Sequence, residues 1–398
     1  MLVPARLARC LRHEIAICTY LASGPGLLGR ARGTASPLLI YRAGMLTLVP
    51  TLVSLLPSSH AVVSRRTALG LFGTTATFAT TSWPAYAAST GAIPSWTLAN
   101  GVKFPTLALN TAGLTAAGSE IAFTAAIANG ITHVDFHPGI ERDGVAKVLN
   151  AGADRSKLFL TTKIRKPAVG TDPSAAGALV TRQLEEDLGV LGVSSVDMLM
   201  LRDSPDCAVM QAQWAAVEAA KAAGFTRSVG LINYCDSSLK CILATAKVKP
   251  DINYFMYHAG MKKDPRTKSL RALGETNGVR TFAYGALGEP GPSEELLASP
   301  VLTRIGEAHG KSVAEVALRW TLQSGVAVSV RPTSDFGAGR SACPADGSCA
   351  ASVALRARAF EWKLTPSEMK EIDGLTSPGG NPTLFSSLGC PDSFFANK

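Results

Sequence analysis

Short apolar runs recur through the second part of the chain, separated by polar, glycine-rich punctuation. Residues 107–110, 132–136, 158–163, 196–201, 228–232, 252–257, 281–284 and 326–330 are runs of four to six residues dominated by Val, Ile, Leu, Phe and Thr. Runs of that length and composition predict eight strands. Between them the apolar spacing lengthens to three and four. Asp172-Pro173 opens a stretch that places Val180, Leu184, Leu188 and Leu191 on one face, and Gly224 stops another. Ser312 with Glu315, and Thr365 with Glu368, have the spacing of capping boxes. Ahead of the first run, Asn100-Gly101 sits between two short segments and accepts the positive φ of a tight turn, which predicts an N-terminal β-hairpin.

Strand and helix therefore alternate eight times. Near-continuous apolar strands joined by helices imply a parallel sheet covered on both faces, and eight such units in some 250 residues imply an α/β fold closed as a (β/α)8 TIM barrel. An open doubly wound sheet is the alternative, disfavoured because no G-x-G-x-x-G follows the first strand.

In a parallel barrel chemistry gathers where the strands exit. The residues there are Asn110 and Thr111, Asp135 and His137, Lys163, Arg202 and Asp203, Asn233, His258, Tyr284 and Arg331. Any one of them has an ordinary structural explanation as a helix cap or a packed, hydrogen-bonded residue. Jointly they deliver a polar group from every strand to one rim. An interior Asp135 and Lys163 are too costly to bury apart, so they are expected to face each other as a pair.

The segments ANGITHVD (128–135), LFLTTK (158–163), SVDMLML (195–201), GLINY (230–234), FAYGALG (282–288) and VAEVALRW (313–320) carry a resemblance, in the same order, to the aldo-keto reductases. The resemblance covers residues 95–375. It implies reduction of aldehydes and ketones by hydride transfer from NADP(H), with a Tyr as proton donor, a Lys that lowers its pKa, an Asp that pairs the Lys and a His that orients the carbonyl. By position, Asp135 resembles the Asp and Lys163 the Lys. The Tyr position is Ile140 and the His position is Arg202. Asn233 resembles the carboxamide ligand, Tyr284 the aromatic that stacks on the nicotinamide, and Arg331 the basic group that meets the 2′-phosphate. The preceding Ser position is Ile232 and the expected Gln is Tyr254. The family's short cofactor segment is replaced by residues 334–351.

Ile140 has no transferable proton, so the family's usual acid step cannot operate there. His137 follows the same strand as Asp135 and titrates near neutrality, which makes it a candidate acid, unless a loop turns it away. Arg202 sets a permanent cation near Lys163 and suits the site to an anionic substrate such as a small keto acid, unless Asp203 or Asp206 neutralises it. Two readings follow: an NADP(H)-dependent oxidoreductase acting on a small carbonyl compound with a non-standard acid, or a catalytically silent barrel that binds nucleotide, anions or a partner.

Charge and targeting signals alter this picture only at the N-terminus. The chain of 398 residues has a net charge of +9, but residues 1–87 hold eight Arg, no Lys and one acid, Glu14. Residues 88–398 carry 31 Lys+Arg against 29 Asp+Glu, which removes any whole-domain argument for a nucleic-acid partner. Residues 1–87 read as a targeting leader: an Arg- and Ser-containing transit segment, then Ser64-Arg65-Arg66, a Thr-diluted apolar run from Ala68 to Ala79, and Ala85-Tyr86-Ala87 as a small-residue cleavage site. The run is too short for a stable membrane anchor. A transit segment followed by a twin-arginine signal implies a plastid protein of the thylakoid lumen, cleaved near Ala87. A start at Met45 would instead fit an endomembrane route into the plastid. Of the eight cysteines, six follow the leader; none forms a C-x2-C zinc pair, so no metal is expected. The spacing of Cys343 and Cys349 permits a disulfide in an oxidising compartment, the alternative being two free surface thiols.

Overall fold

The computed structural model describes residues 91–288, 293–332 and 343–376. The expected targeting leader and its cleavage site, and residues 334–342 of the 334–351 replacement, lie outside the described residues.

A hairpin of β1 (Ser95–Thr97) and β2 (Lys103–Pro105) precedes eight parallel strands: β3 (Leu107–Asn110), β4 (His133–Asp135), β5 (Phe159–Ile164), β6 (Val196–Arg202), β7 (Thr226–Ile232), β8 (Ile252–Met256), β9 (Arg280–Tyr284) and β10 (Ala327–Val330). They pair in sequence order, and β10 returns to β3, so the sheet is a closed barrel. Each predicted run became a strand, with ends moved by one or two residues; Arg202, placed just after its strand by the sequence, is the last residue of β6. Among the helices between strands are α1 (Ala116–Ala128), α2 (Ile140–Asn150), α3 (Pro173–Leu191), α4 (Cys207–Ala222) and α5 (Asp236–Leu243). The Asp172 side chain caps α3 ahead of Pro173, and both predicted capping boxes form, at Ser312 with Glu315 and at Thr365 with Glu368.

Alternation along the strands sorts the apolar residues into two cores. Ala108, Phe159, Met198, Met200, Ile232, Ile252, Tyr254, Phe282 and Ala327 fill the barrel interior, whereas Leu107, Leu109, Leu160, Leu199, Leu201 and Leu231 face outward to the helices. Interior parity carried to the C-terminal strand ends selects Asn110, Asp135, Lys163, Arg202, Tyr284 and Ser329. The opposite end is closed by the hairpin. Phe104 of β2 meets His133, Phe159 and Phe282 edge-on at centroid distances of 5.0, 5.3 and 5.1 Å. His133 is sealed there between Pro105 O and Thr161 Oγ1, and burial lowers its pKa to about 4, so it is a neutral packing group. In the turn, Asn100 reaches across to Arg227 O, Ser228 Oγ and Asp251 Oδ2 and ties the hairpin to β7 and its neighbour. The chemistry is thereby confined to one mouth.

Candidate active site

Asp135 ends β4 and Lys163 lies one residue before the end of β5. Both are fully buried, and the Lys163 ammonium forms an ion pair with Asp135 Oδ1. The other carboxylate oxygen accepts two hydroxyls, from Tyr254 at 2.6 Å and from Ser329 at 2.7 Å. Burial opposes ionisation of Asp135, but the Lys163 charge and these hydrogen bonds hold its pKa below the ordinary carboxylate value. For Lys163 burial prevails, and its pKa is drawn below that of a free lysine despite the attraction of Asp135. Buried charges persist when paired and hydrogen-bonded; Lys163 and Asp135 are paired, and both Asp135 oxygens are occupied.

Tyr254 is the residue that sequence reading missed. It stands where a Gln was expected, and its interior parity on β8 sends the phenol across the barrel. Asn110 Nδ2 donates to its oxygen at 3.0 Å, and the Lys163 ammonium stands 5.4 Å from its ring centroid. The phenol's own proton is committed to Asp135. The side chain is 3% exposed, and burial next to the Asp135 carboxylate raises its pKa well above the ordinary tyrosine value. Ile140, in the position of the family's acid, begins α2 and is 45% exposed.

In the loop after β4, His137 is paired with Glu141 of α2. Its Nδ1 stands 2.8 Å from Glu141 Oε2, with 27% of the side chain exposed. Glu141 is itself pinned: the Gly113 amide donates to Oε1 at 2.9 Å and the His137 amide to Oε2 at 3.0 Å. Burial disfavours the Glu141 carboxylate, yet the His137 bond and the Gly113 amide hold its pKa below the ordinary value. An ionised carboxylate accepts only, so the proton of a neutral His137 resides on Nδ1 and Nε2 is the atom left for other partners. Burial, and then the Lys163 and Arg202 charges, depress the His137 pKa below 6.5 against the pull of Glu141. Glu141 was legible only as an acid in the first turn of a helix.

Arg202 shares the interior parity of Met198 and Met200 and reaches the mouth half-buried. The alternative, a close ion pair with Asp203 or Asp206, does not form. Asp203 faces Lys166 at 3.8 Å, and Asp206 caps α4 by accepting from the amides of Ala208 and Val209. Asn233 adopts a positive φ of 60°, which brings its Oδ1 to 2.8 Å from the donating Tyr284 hydroxyl. Tyr284 also packs on Tyr254, with centroids 5.0 Å apart. Arg331 continues β10 inward, is 2% exposed, and lies close enough to Gly113 that a Cβ there would stand 3.5 Å from its Nη2. His258, by contrast, is enclosed with its Nδ1 on Ala259 O, and burial lowers its pKa to about 4. Among the described residues, no group of three or more His, Cys, Asp or Glu side chains could hold a metal ion, and no helix is long and apolar enough to cross a membrane.

Residues 110–376 match the sequence profile described as the Aldo/keto reductase family. The chain belongs to that family. Similar proteins include morphine 6-dehydrogenase of Pseudomonas putida, 28% identical over 296 residues, which span 72% of this chain and 92% of that one. NADPH-dependent codeinone reductase 1-4 of Papaver somniferum is 28% identical over 309 residues, covering 70% of this chain and 88% of its own. Among solved structures, an aldo/keto reductase from Brucella melitensis superposes with a TM-score of 0.59 at 24% identity, over 71% of this chain and 98% of that one. At that identity the superposition speaks for the aldo/keto reductase barrel alone.

Proposed function

We propose that this family member is an NADP(H)-dependent oxidoreductase that reduces a small carbonyl compound, with His137 as its acid and Glu141 holding His137 in place. The observation that carries this reading is the 2.8 Å contact between His137 Nδ1 and Glu141 Oε2, beside the buried Asp135–Lys163 pair. The curated relatives bear the names of a dehydrogenase and of NADPH-dependent reductases, which supports the cofactor.

The mouth suits a nicotinamide dinucleotide in three respects: an amide side chain at Asn233, the half-buried ring of Tyr284, and a guanidinium at Arg331 whose fork suits a phosphate. These residues would hold the carboxamide, the nicotinamide ring and the 2′-phosphate. When bound, the cofactor supplies the hydride. The chain's own task is to stabilise the developing alkoxide and protonate it. Lys163 and Arg202 provide the cationic field, acting in a site where little water screens them. Protonated His137, with Nδ1–H on Glu141, gives up its proton from Nε2. Tyr254 holds Asp135 and hence Lys163, because its hydroxyl is occupied and buried.

Absorbance at the nicotinamide band during single turnover with a panel of aldehydes, ketones and keto acids tests the reading. Oxidation of NADPH by at least one carbonyl compound is expected. Tight NADPH binding with no oxidation by any of them would leave a silent nucleotide-binding barrel.

We further propose that the mature protein works in the thylakoid lumen of a plastid after removal of residues 1–87. Among the described residues, the disulfides Cys207–Cys241 and Cys343–Cys349 support an oxidising compartment. Mass spectrometry of protein from isolated lumen should find an N-terminus near Ala88; an uncleaved leader would refute the assignment.

A further inference from the structure

Arg202 is a cation at the barrel mouth that forms no ion pair with any of the described residues. Arg202 closes β6, and its interior parity places it over the same opening that Asp135, Lys163 and Tyr284 face. The residues flanking it are committed elsewhere: Asp203 to Lys166, and Asp206 to the cap of α4. No carboxylate of the described residues lies within 4.0 Å of the Arg202 guanidinium. Both other acids at the mouth are occupied, Asp135 by Lys163, Tyr254 and Ser329, and Glu141 by His137 and Gly113. A half-buried guanidinium with no carboxylate partner among the described residues is suited to receive one, because its planar fork matches a carboxylate with two parallel hydrogen bonds.

We infer that Arg202 is the substrate's carboxylate receptor and that the substrates are 2-oxo acids or similarly short carbonyl acids. The inference rests on the reductase reading above and names its substrate class. A carboxylate adjacent to the carbonyl reaches Arg202 while the carbonyl oxygen faces Lys163 and His137, since β4, β5 and β6 are successive neighbours in the barrel. The electrostatics agree: Arg202 is among the charges that depress the pKa of both Lys163 and His137, and it acts on the Tyr284 phenol across the mouth. A bound carboxylate would relieve that repulsion and favour the protonated His137 that reduction consumes.

The test uses phenylglyoxylate, its methyl ester and NADPH with the full-length mature protein and the variants Arg202→Gln and Arg202→Lys. The wild type should prefer the acid to the ester. In Arg202→Gln the ratio of the two kcat/KM values should fall about 10- to 100-fold, the worth of a hydrogen-bonded charge. Arg202→Lys should recover part of it, since an ammonium keeps the charge and loses the fork. Three results would overturn the inference: a wild-type preference for the ester, an equal fall for both substrates, or weakened NADPH binding with the ratio intact. The second would leave Arg202 with the alkoxide-stabilising role alone, and the third would make it a cofactor ligand. If no carbonyl compound is turned over, calorimetric titration with phenylglyoxylate separates the two claims. Binding lost in Arg202→Gln would keep the anion receptor while the reductase reading falls, and no binding would end both.

Discussion

At the scale of single residues, the site depends on how many donors converge on one carboxylate. Asp135 accepts an ammonium and two hydroxyls, and the loss of any one tests what the others hold. Tyr254→Phe removes the 2.6 Å bond and strands the Asn110 donor, so it should cost about 1–3 kcal/mol in a denaturant melt. With His137 proposed as the acid in place of the phenol, turnover should fall less than about tenfold and keep its dependence on pH; a drop near the 10²–10⁴-fold of general acid catalysis would make Tyr254 the donor instead. The Asp135–Lys163 pair was legible in the sequence because two opposite charges ending adjacent apolar strands have few other affordable arrangements. Tyr254 was not, because the cost of burying a phenol depends on partners from β3 and β4, more than a hundred residues away. Glu141 looked like any acid favouring a helix N-terminus.

Elements were read more completely, since strand and helix follow from periodicity and local caps. What periodicity could not reveal is how closely helices approach. Gly144 of α2 packs on α1: a Cβ there would stand 2.3 Å from Ala116 O and 2.6 Å from Ser119 Cβ. Gly144→Ala should destabilise the fold by about 1–3 kcal/mol through overpacking. Since Glu141 lies one turn earlier on α2, reductase activity should fall with it. Gly189 of α3 offers the contrast, for nothing lies within 4 Å of its added Cβ. Gly189→Ala should stabilise by about 0.5–1 kcal/mol, the helix preference for Ala over Gly. Paired melting curves in which the two variants move alike would contradict this packing account.

For the molecule as a whole, the near-neutral barrel and the arginine-rich N-terminal segment were separable by counting charges, and barrel closure followed from eight alternations. The cysteine pairing was not readable. Cys207 and Cys241, separated by 34 residues, join α4 to α5. Cys343 and Cys349 are 3% and 1% exposed and bonded to each other, where free surface thiols were the alternative. That short loop packs on α1, since a Cβ at Gly118 would lie 3.1 Å from Cys343 N. Chain-entropy arguments give the Cys207–Cys241 crosslink about 2–4 kcal/mol. The double variant Cys207→Ser with Cys241→Ser should therefore unfold at lower denaturant with its activity intact, and an unchanged midpoint would show that this crosslink contributes nothing.

The central claim is that a histidine clamped by a carboxylate supplies the proton that Ile140 cannot. The most direct measurement is the single-turnover rate of NADPH oxidation from pH 5 to 9 in the wild type, His137→Ala and Glu141→Gln. Imidazolium is the acid, and its pKa is depressed, so the wild-type rate should fall as pH rises through a midpoint below the ordinary histidine value of 6.5. Glu141→Gln should move that midpoint lower still, since the carboxylate favours the charged ring, and His137→Ala should abolish the transition and slow the reaction about 10²–10⁴-fold. A wild-type rate and pH profile that survive in His137→Ala would contradict the account.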